Sequence, residues 1–91
     1  MRLTIKLGST LREVAPNWVG GEGELELPEA GPVPIRRVMQ ALGLTPENVN
    51  LIYRNHRLVT PGAPAHDGDR IALFPPNFIH FSQFYLRRDE Q

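Results

Sequence analysis

One segment of the chain has the spacing of an amphipathic helix, and strand-like segments lie on both sides of it. After Pro34, which suits the first turn of a helix, apolar side chains recur at i, i+3, i+4 and i+7, as Ile35, Val38, Met39 and Leu42. Gly43 follows, where a left-handed residue commonly ends a helix. Because a single helix covers only one face of a sheet, the sequence predicts an α+β fold with one helix on one sheet.

Five short segments have the residue pattern of strands. Leu3, Ile5 and Leu7 alternate with polar residues, as in a strand with one buried face. The second predicted strand spans 24–28, where leucines alternate with glutamates. Three more follow the helix, at 49–54, 58–59 and 70–74.

Composition narrows the class of protein. The 91 residues suffice for one domain with a modest core. Ten lysines and arginines balance ten aspartates and glutamates, so the net charge does not favour nucleic acid as a partner. The absence of cysteine excludes disulfides, thiolate metal sites and cysteine nucleophiles. No apolar run approaches the length of a membrane span and the N-terminus lacks an apolar signal region, so we expect no membrane partner and a cytoplasmic location.

Residues that could carry catalysis are scattered. The three histidines, at 56, 66 and 80, lack the short spacing of a metal-binding pair. No serine lies in a nucleophile motif, and no glycine-rich phosphate loop is present. Asp-Gly-Asp at 67–69 and Asn-His at 55–56 are more simply tight turns. The sequence therefore predicts a protein that is not an enzyme and binds no cofactor or metal.

Several stretches, in this order, resemble the MoaD/ThiS family of small ubiquitin-like sulfur carriers. They are Leu-Arg-Glu at 11–13, Leu-Pro at 27–28, Ala-Leu-Gly-Leu at 41–44, Asn-His-Arg-Leu-Val at 55–59 and the stretch at 67–76 that ends in Phe-Pro-Pro. The resemblance implies a ubiquitin-like β-grasp, a mixed sheet of about five strands over one main helix. It also implies protein partners, because carriers of this family work with an activating enzyme and a sulfur-accepting synthase.

The chain departs from this family after the two prolines. In the family, a terminal Gly-Gly follows, and its carboxylate is converted to a thiocarboxylate. Residues 77–91 contain no glycine and end in Leu-Arg-Arg-Asp-Glu-Gln. Glycine lets backbone pass close to an enzyme surface, which bulky charged residues do not. We therefore expect a β-grasp domain at 1–76, followed by an extension at 77–91 that does not form a thiocarboxylate.

Large apolar residues are concentrated in this extension. Six fall within nine positions: Phe78, Ile79, Phe81, Phe84, Tyr85 and Leu86. A small domain that left them in water would expose an unusual hydrophobic patch. Three arrangements stay open. The segment folds back onto its own domain, inserts into another protein, or mediates self-association as a homodimer.

Binding is the leading functional hypothesis, and its candidate residues form two groups. The aromatic segment supplies Phe78, His80, Phe81, Phe84 and Tyr85, and a second, basic surface supplies Arg36, Arg37, Arg54 and Arg57. The sequence thus predicts a non-catalytic ubiquitin-like interaction module or accessory subunit. The resemblance suggests a partner enzyme of molybdenum, tungsten or sulfur-cofactor metabolism. The alternatives are a sulfur carrier in molybdopterin-type or thiamine-type biosynthesis and a purely structural homo-oligomeric domain.

Overall fold

A five-stranded sheet and one α-helix form the architecture of the computed structural model, which describes residues 1–8, 11, 15, 18 and 21–76. In chain order, the elements are β1 (Arg2–Leu7), β2 (Glu22–Glu26), β3 (Val33–Pro34), α1 (Ile35–Leu42), a 3-10 turn (Pro46–Asn48), β4 (Leu51–Arg54), β5 (Arg57–Val59), β6 (Pro64–Ala65) and β7 (Arg70–Phe74).

The main sheet has the strand order β2-β1-β7-β4-β5, and β3 pairs with β6 in a separate two-stranded sheet. The two central strands, β1 and β7, are parallel, and their neighbours are antiparallel to them. The predicted α+β class and the β-grasp arrangement are therefore confirmed: a mixed sheet of five strands over one main helix. The expected aromatic extension lies outside the described residues.

The helix α1 packs its apolar stripe onto one face of the main sheet. Its four apolar residues are buried, as their spacing predicts: Ile35, Val38, Met39 and Leu42. The strands contribute Leu3, Ile5, Leu7, Ile52, Ile71 and Leu73 to the same core. Gly43 ends the helix at φ 83°, a left-handed conformation that glycine adopts without steric cost. No helix in the described part of the chain has the length and apolar character needed to cross a bilayer.

Several strand boundaries differ from prediction because pairing takes precedence over residue pattern. The strand predicted at 24–28 is Glu22–Glu26, since β1 supplies its partners only from Lys6, opposite Glu22, to Arg2, opposite Glu26. The strand predicted at 49–54 begins at residue 51, because Val49 still caps the 3-10 turn. The short β3 and β6 were not predicted, since prolines dominate their local sequence.

Candidate functional site

The sheet face opposite α1 has a depression of about 390 Å³ at its centre. The lining residues come from β1, β4, β7 and the β4–β5 turn: Lys6, Tyr53, His56, Arg70, Ala72 and Phe74. The register brings them together, since Tyr53 lies opposite Ala72, and Ala72 lies opposite Lys6. Because side chains alternate along a strand, these residues point away from the face that the helix covers.

Two aromatic rings form the apolar part of this depression. Tyr53 and Phe74 meet edge to face, with ring centroids 5.8 Å apart and ring planes at 81°. This arrangement brings the positive edge of one ring to the negative face of the other. Phe74 also lies over Gly8, where a Cβ atom would collide with the phenylalanine ring. Glycine at position 8 thus allows the ring to approach the backbone.

The apolar surface continues to the edge of the sheet at Leu58. This leucine lies directly opposite Tyr53 in the β4–β5 hairpin. It is 61% exposed, and no other large hydrophobic residue in the described part of the chain is as accessible. A single exposed leucine is ordinary, but beside an aromatic pair it enlarges one continuous patch.

Charged groups border the depression and partly neutralise one another. Arg70 Nη1 donates a hydrogen bond to Glu22 Oε2 at 2.7 Å. This bond, together with the positive charges of Arg70 and Lys6, lowers the pKa of the Glu22 carboxyl. Among the described histidine and carboxylate side chains, no group of three could hold a metal ion. The depression therefore offers an apolar centre with a mixed-charge rim.

A polar network fixes the Asn55-His56 turn to β7. Both turn residues have left-handed backbone, with φ of 51° and 71°, as the predicted tight turn requires. The Asn55 N–H donates to Arg70 O at 2.8 Å, and the Arg70 N–H donates to Asn55 Oδ1 at 2.9 Å. Asn55 Nδ2 donates to Asp69 Oδ1 at 3.0 Å. These contacts hold His56 at the rim of the depression.

Asp69 is the acceptor at the centre of that network. Burial alone would raise the pKa of its carboxyl. The hydrogen bonds from the His66 N–H, at 2.8 Å, and from the Asn55 side chain outweigh burial and lower this pKa. The predicted Asp-Gly-Asp turn is present, with Gly68 at φ 89°. Asp69 therefore acts as a structural acceptor that joins two turns.

The strand β7 leads from the depression to the aromatic extension. Phe74 is its last residue, Pro75 is buried and Pro76 is exposed. The predicted partner-binding residues of the extension lie outside the described residues: Phe78, His80, Phe81, Phe84 and Tyr85. What the structure does place are Pro75 and Pro76, which join Phe74 to that segment.

The two predicted helix arginines have different surroundings. Arg37 Nε donates to Glu29 Oε2 at 2.6 Å, and both side chains are about one-third exposed. This bond lowers the pKa of the Glu29 carboxyl. Arg36 is exposed, and its guanidinium lies beside Gly62. Arg37 is therefore engaged within its own domain, whereas Arg36 faces solvent beside a loop.

The two predicted hairpin arginines lie near the same loop. Arg54 Nη1 donates to Pro64 O at 2.7 Å. Arg57 lies directly opposite Arg54 in the hairpin, so both side chains project from the same face of the sheet. The structure thus places Arg36, Arg54 and Arg57 around residues 61–65, on the side of the sheet that α1 covers.

Sequence reasoning did not single out Tyr53, Leu58 or Phe74 as site residues. A signal was available, since a strand with period-two alternation has one outward face, and large apolar residues on that face need an explanation. In β4, Tyr53 follows the buried Ile52 and is only partly buried itself. Its pairing with Phe74, however, depends on which strands are neighbours.

Comparison with known proteins gives one family and several similar structures. Residues 5–77 match the model of the ThiS family. A Pyrococcus furiosus protein described as a molybdopterin converting factor, subunit 1, has a TM-score of 0.60 and 24% identity over 81% of this chain and 95% of that chain. Small archaeal modifier protein 1 of Haloferax volcanii has a TM-score of 0.62 and 20% identity, also over 81% and 95%. No curated protein matches the sequence. The structural likeness, at these identities, concerns the fold.

Proposed function

Because this chain belongs to the ThiS family, we propose that it is a ubiquitin-like module that binds another protein and catalyses no reaction itself. The sheet face opposite α1 and the aromatic extension are the proposed binding elements. The proposed organisation is a β-grasp domain at 1–76 that presents the extension at 77–91.

One observation carries this proposal: an apolar face that α1 does not cover lies at the end of the strand that leads to the aromatic segment. Tyr53, Phe74 and the 61%-exposed Leu58 form that face on the side of the sheet that α1 does not cover. Exposed apolar patches bordered by polar groups are typical of protein interaction sites. Lys6 and Arg70 supply such a border. A partner that covers this face would meet the extension at its edge.

The extension supplies the proposed anchors. Aromatic side chains bury a large area for few rotatable bonds, and they commonly fill pockets at the centre of an interface. We assign this role to Phe78, Phe81, Phe84 and Tyr85, with His80 as a polar contact between them. The proposed partner is an enzyme of molybdenum, tungsten or sulfur-cofactor metabolism, and the proposed location is the cytoplasm.

A sulfur carrier is the second candidate function, because family membership itself favours it. Such a carrier needs a C-terminal carboxylate that can reach the ATP of an activating enzyme. Residues 77–91 have no glycine, and the extension instead has aromatic and charged residues. This composition favours a binding role for the extension. Self-association through the apolar face, as a homodimer or a purely structural assembly, is a third candidate.

The intact mass of the protein purified from its native host separates the first two functions. An unmodified chain ending at Gln91 supports the binding module. A shortened chain, or one in which sulfur replaces a terminal oxygen, restores the carrier and overturns the proposal. A sedimentation experiment on the same sample tests the third candidate, because a stable homodimer would sediment as a species of twice the monomer mass.

A further inference from the structure

The arginines in the described part of the chain divide into two groups of three. Each member of the first group has a glutamate within 4 Å: Arg2 with Glu24, Arg37 with Glu29 and Arg70 with Glu22. The members of the second group, Arg36, Arg54 and Arg57, have no carboxylate at that distance among the described residues. The second group lies at one place, around residues 61–65.

Two contacts and one register position define this arginine cluster. The Arg54 guanidinium is held by the carbonyl of Pro64 at 2.7 Å. The Arg36 guanidinium lies so close to Gly62 that a Cβ atom there would be 3.2 Å from Arg36 Nη2. Arg57 is the direct cross-strand neighbour of Arg54. The three positive groups therefore border the same loop from the helix and from the hairpin.

Two placements within the cluster are electrostatically unfavourable, although the Asp69 carboxylate attracts Arg54 from beyond 4 Å and the charge of Arg54 helps to lower the pKa of that carboxyl. Like charges directly opposite each other in an antiparallel pair destabilise the pair, as Arg54 and Arg57 do. Arg36 lies in the first turn of α1, where the helix dipole disfavours a cation, and that turn has no acidic residue. Both unfavourable placements would be relieved by negative charge brought from outside the domain.

We propose that Arg36, Arg54 and Arg57 form a docking surface for an acidic segment of a protein partner. The proposal rests on the assigned role of the chain as an interaction module, and it specifies the chemistry of that partner. Arginine suits carboxylates because its planar fork can donate two parallel hydrogen bonds to one carboxylate. Arg54 is already oriented by Pro64, so it retains less freedom to lose on binding.

The charge distribution favours protein carboxylates over a nucleic acid. Binders of nucleic acid generally present a broad basic surface, whereas this chain has a formal net charge of zero. Glutamates at 22, 24 and 26 line the opposite edge of the main sheet. The cluster is thus a local basic feature of a chain with as many acidic as basic residues, which suits a short acidic segment better than an extended polyanion.

The cluster and the apolar depression lie on opposite sides of the sheet. Arg54 and Arg57 share the face of Ile52 and Val59, which α1 covers, whereas Tyr53 and Leu58 share the other face. One partner can therefore cover the depression while an acidic segment lies against the cluster.

The test is an amide NMR titration of the full chain with a capped hexaglutamate peptide. We expect saturable shifts confined to residues 36, 54–57 and 61–65. The double variant Arg36→Glu/Arg57→Glu reverses two charges whose side chains make no hydrogen bond or ion pair within the described part of the chain. We expect it to weaken peptide binding about tenfold. Arg54 is left intact because its bond to Pro64 contributes to the fold. The affinity of the neutral variant Arg36→Gln/Arg57→Gln for the peptide should lie between that of the charge-reversed variant and that of the wild type.

The control for charge alone is Arg2→Glu on β1, which changes the net charge by the same amount as Arg36→Gln/Arg57→Gln and lies outside both the cluster and the depression. It should alter the peptide affinity less than twofold. Equal weakening by the control, or shifts spread over the whole surface, would overturn the proposal. A DNA oligonucleotide of equal charge that binds the same residues more tightly would also overturn it, in favour of nucleic acid.

Failure of this proposal and failure of the proposed function are distinguishable. The residues expected to shift in the peptide titration all lie outside the aromatic extension, so the result does not depend on the role of that extension. A carrier with a processed terminus could still bind the peptide, and a binding module could still fail to do so. The spectrum of each variant without peptide shows whether it is folded, so loss of binding is not confused with loss of structure.

Discussion

Tyr53 and Phe74 meet edge to face across the β4–β7 ladder, with their ring centroids 5.8 Å apart. They are diagonal neighbours, since Tyr53 is opposite Ala72 and Phe74 is opposite Leu51. The pair lies on the sheet face that α1 does not cover, and Phe74 directly precedes the two prolines that lead to the extension. Its position links the folded domain to the segment proposed to bind a partner.

The close approach of Phe74 to Gly8 predicts that Gly8→Ala is destabilising. The new Cβ atom would collide with the phenylalanine ring, and the ring or β1 must shift. Overpacking of this kind typically lowers the free energy of unfolding by about 1–3 kcal/mol. Urea denaturation measures the effect. The matched control is Gly31→Ala, where a Cβ atom meets nothing within 4 Å. An equal loss in both variants would contradict the assigned clash.

The polar network at the hairpin turn predicts a loss of stability in Asn55→Ala. The substitution removes the Asn55 side-chain bonds to Arg70 and Asp69 and places alanine at φ 51°. We expect the free energy of unfolding to fall by about 1–3 kcal/mol. His56→Asn at the adjacent turn position is the control, because asparagine tolerates left-handed backbone. Thermal unfolding that shows no difference between the two variants would refute the role of this network.

The lowered pKa of Asp69 predicts a loss of stability in acid. A carboxyl whose folded-state pKa lies below its unfolded value, about 3.9, stabilises the fold above that pH. This contribution is lost as the pH falls through the folded-state pKa. In Asp69→Asn, the free energy of unfolding should therefore depend less steeply on pH below about pH 4. Urea titrations at a series of pH values check the slope. An unchanged slope would show that Asp69 is not a linked group.

Removal of residues 77–91 tests whether the extension is structural. The described residues alone supply a contiguous apolar core from Leu3 to Leu73, so a chain that ends at Pro76 should unfold cooperatively. We expect its free energy of unfolding to lie within about 1 kcal/mol of the full chain, because a segment that serves a partner adds little to its own domain. Chemical denaturation of both chains measures the difference. A much larger loss would mean that the extension covers the apolar face of its own domain, which contradicts the proposed function.

Local sequence predicted the helix and the turns well. The spacing from Ile35 to Leu42 places a buried stripe on α1, and Gly43 ends the helix as predicted. The Asn55-His56 turn is likewise present with left-handed backbone. These features depend on neighbours within a few residues, so the local sequence is enough to predict them.

The candidate surfaces could be predicted from the sequence only in part. The sequence identified four arginines as one basic surface. It could not show that Glu29 holds Arg37, or that no glutamate in the described part of the chain lies within 4 Å of Arg36, Arg54 or Arg57. It did not identify the face formed by Tyr53, Leu58 and Phe74 at all. Both results depend on strand neighbours and on loops far apart in the chain.

The sequence by itself determined the class of this protein, its main helix, its tight turns and its membership of the ThiS family. Tertiary structure alone decided where β2 begins, which arginines find a glutamate, and which aromatic rings meet outside the core. The physical reason is the sequence distance over which each kind of interaction acts. Periodicity and turn preference act within one segment, whereas cross-strand pairing brings together residues such as Gly8 and Phe74 that the sequence separates by most of the domain.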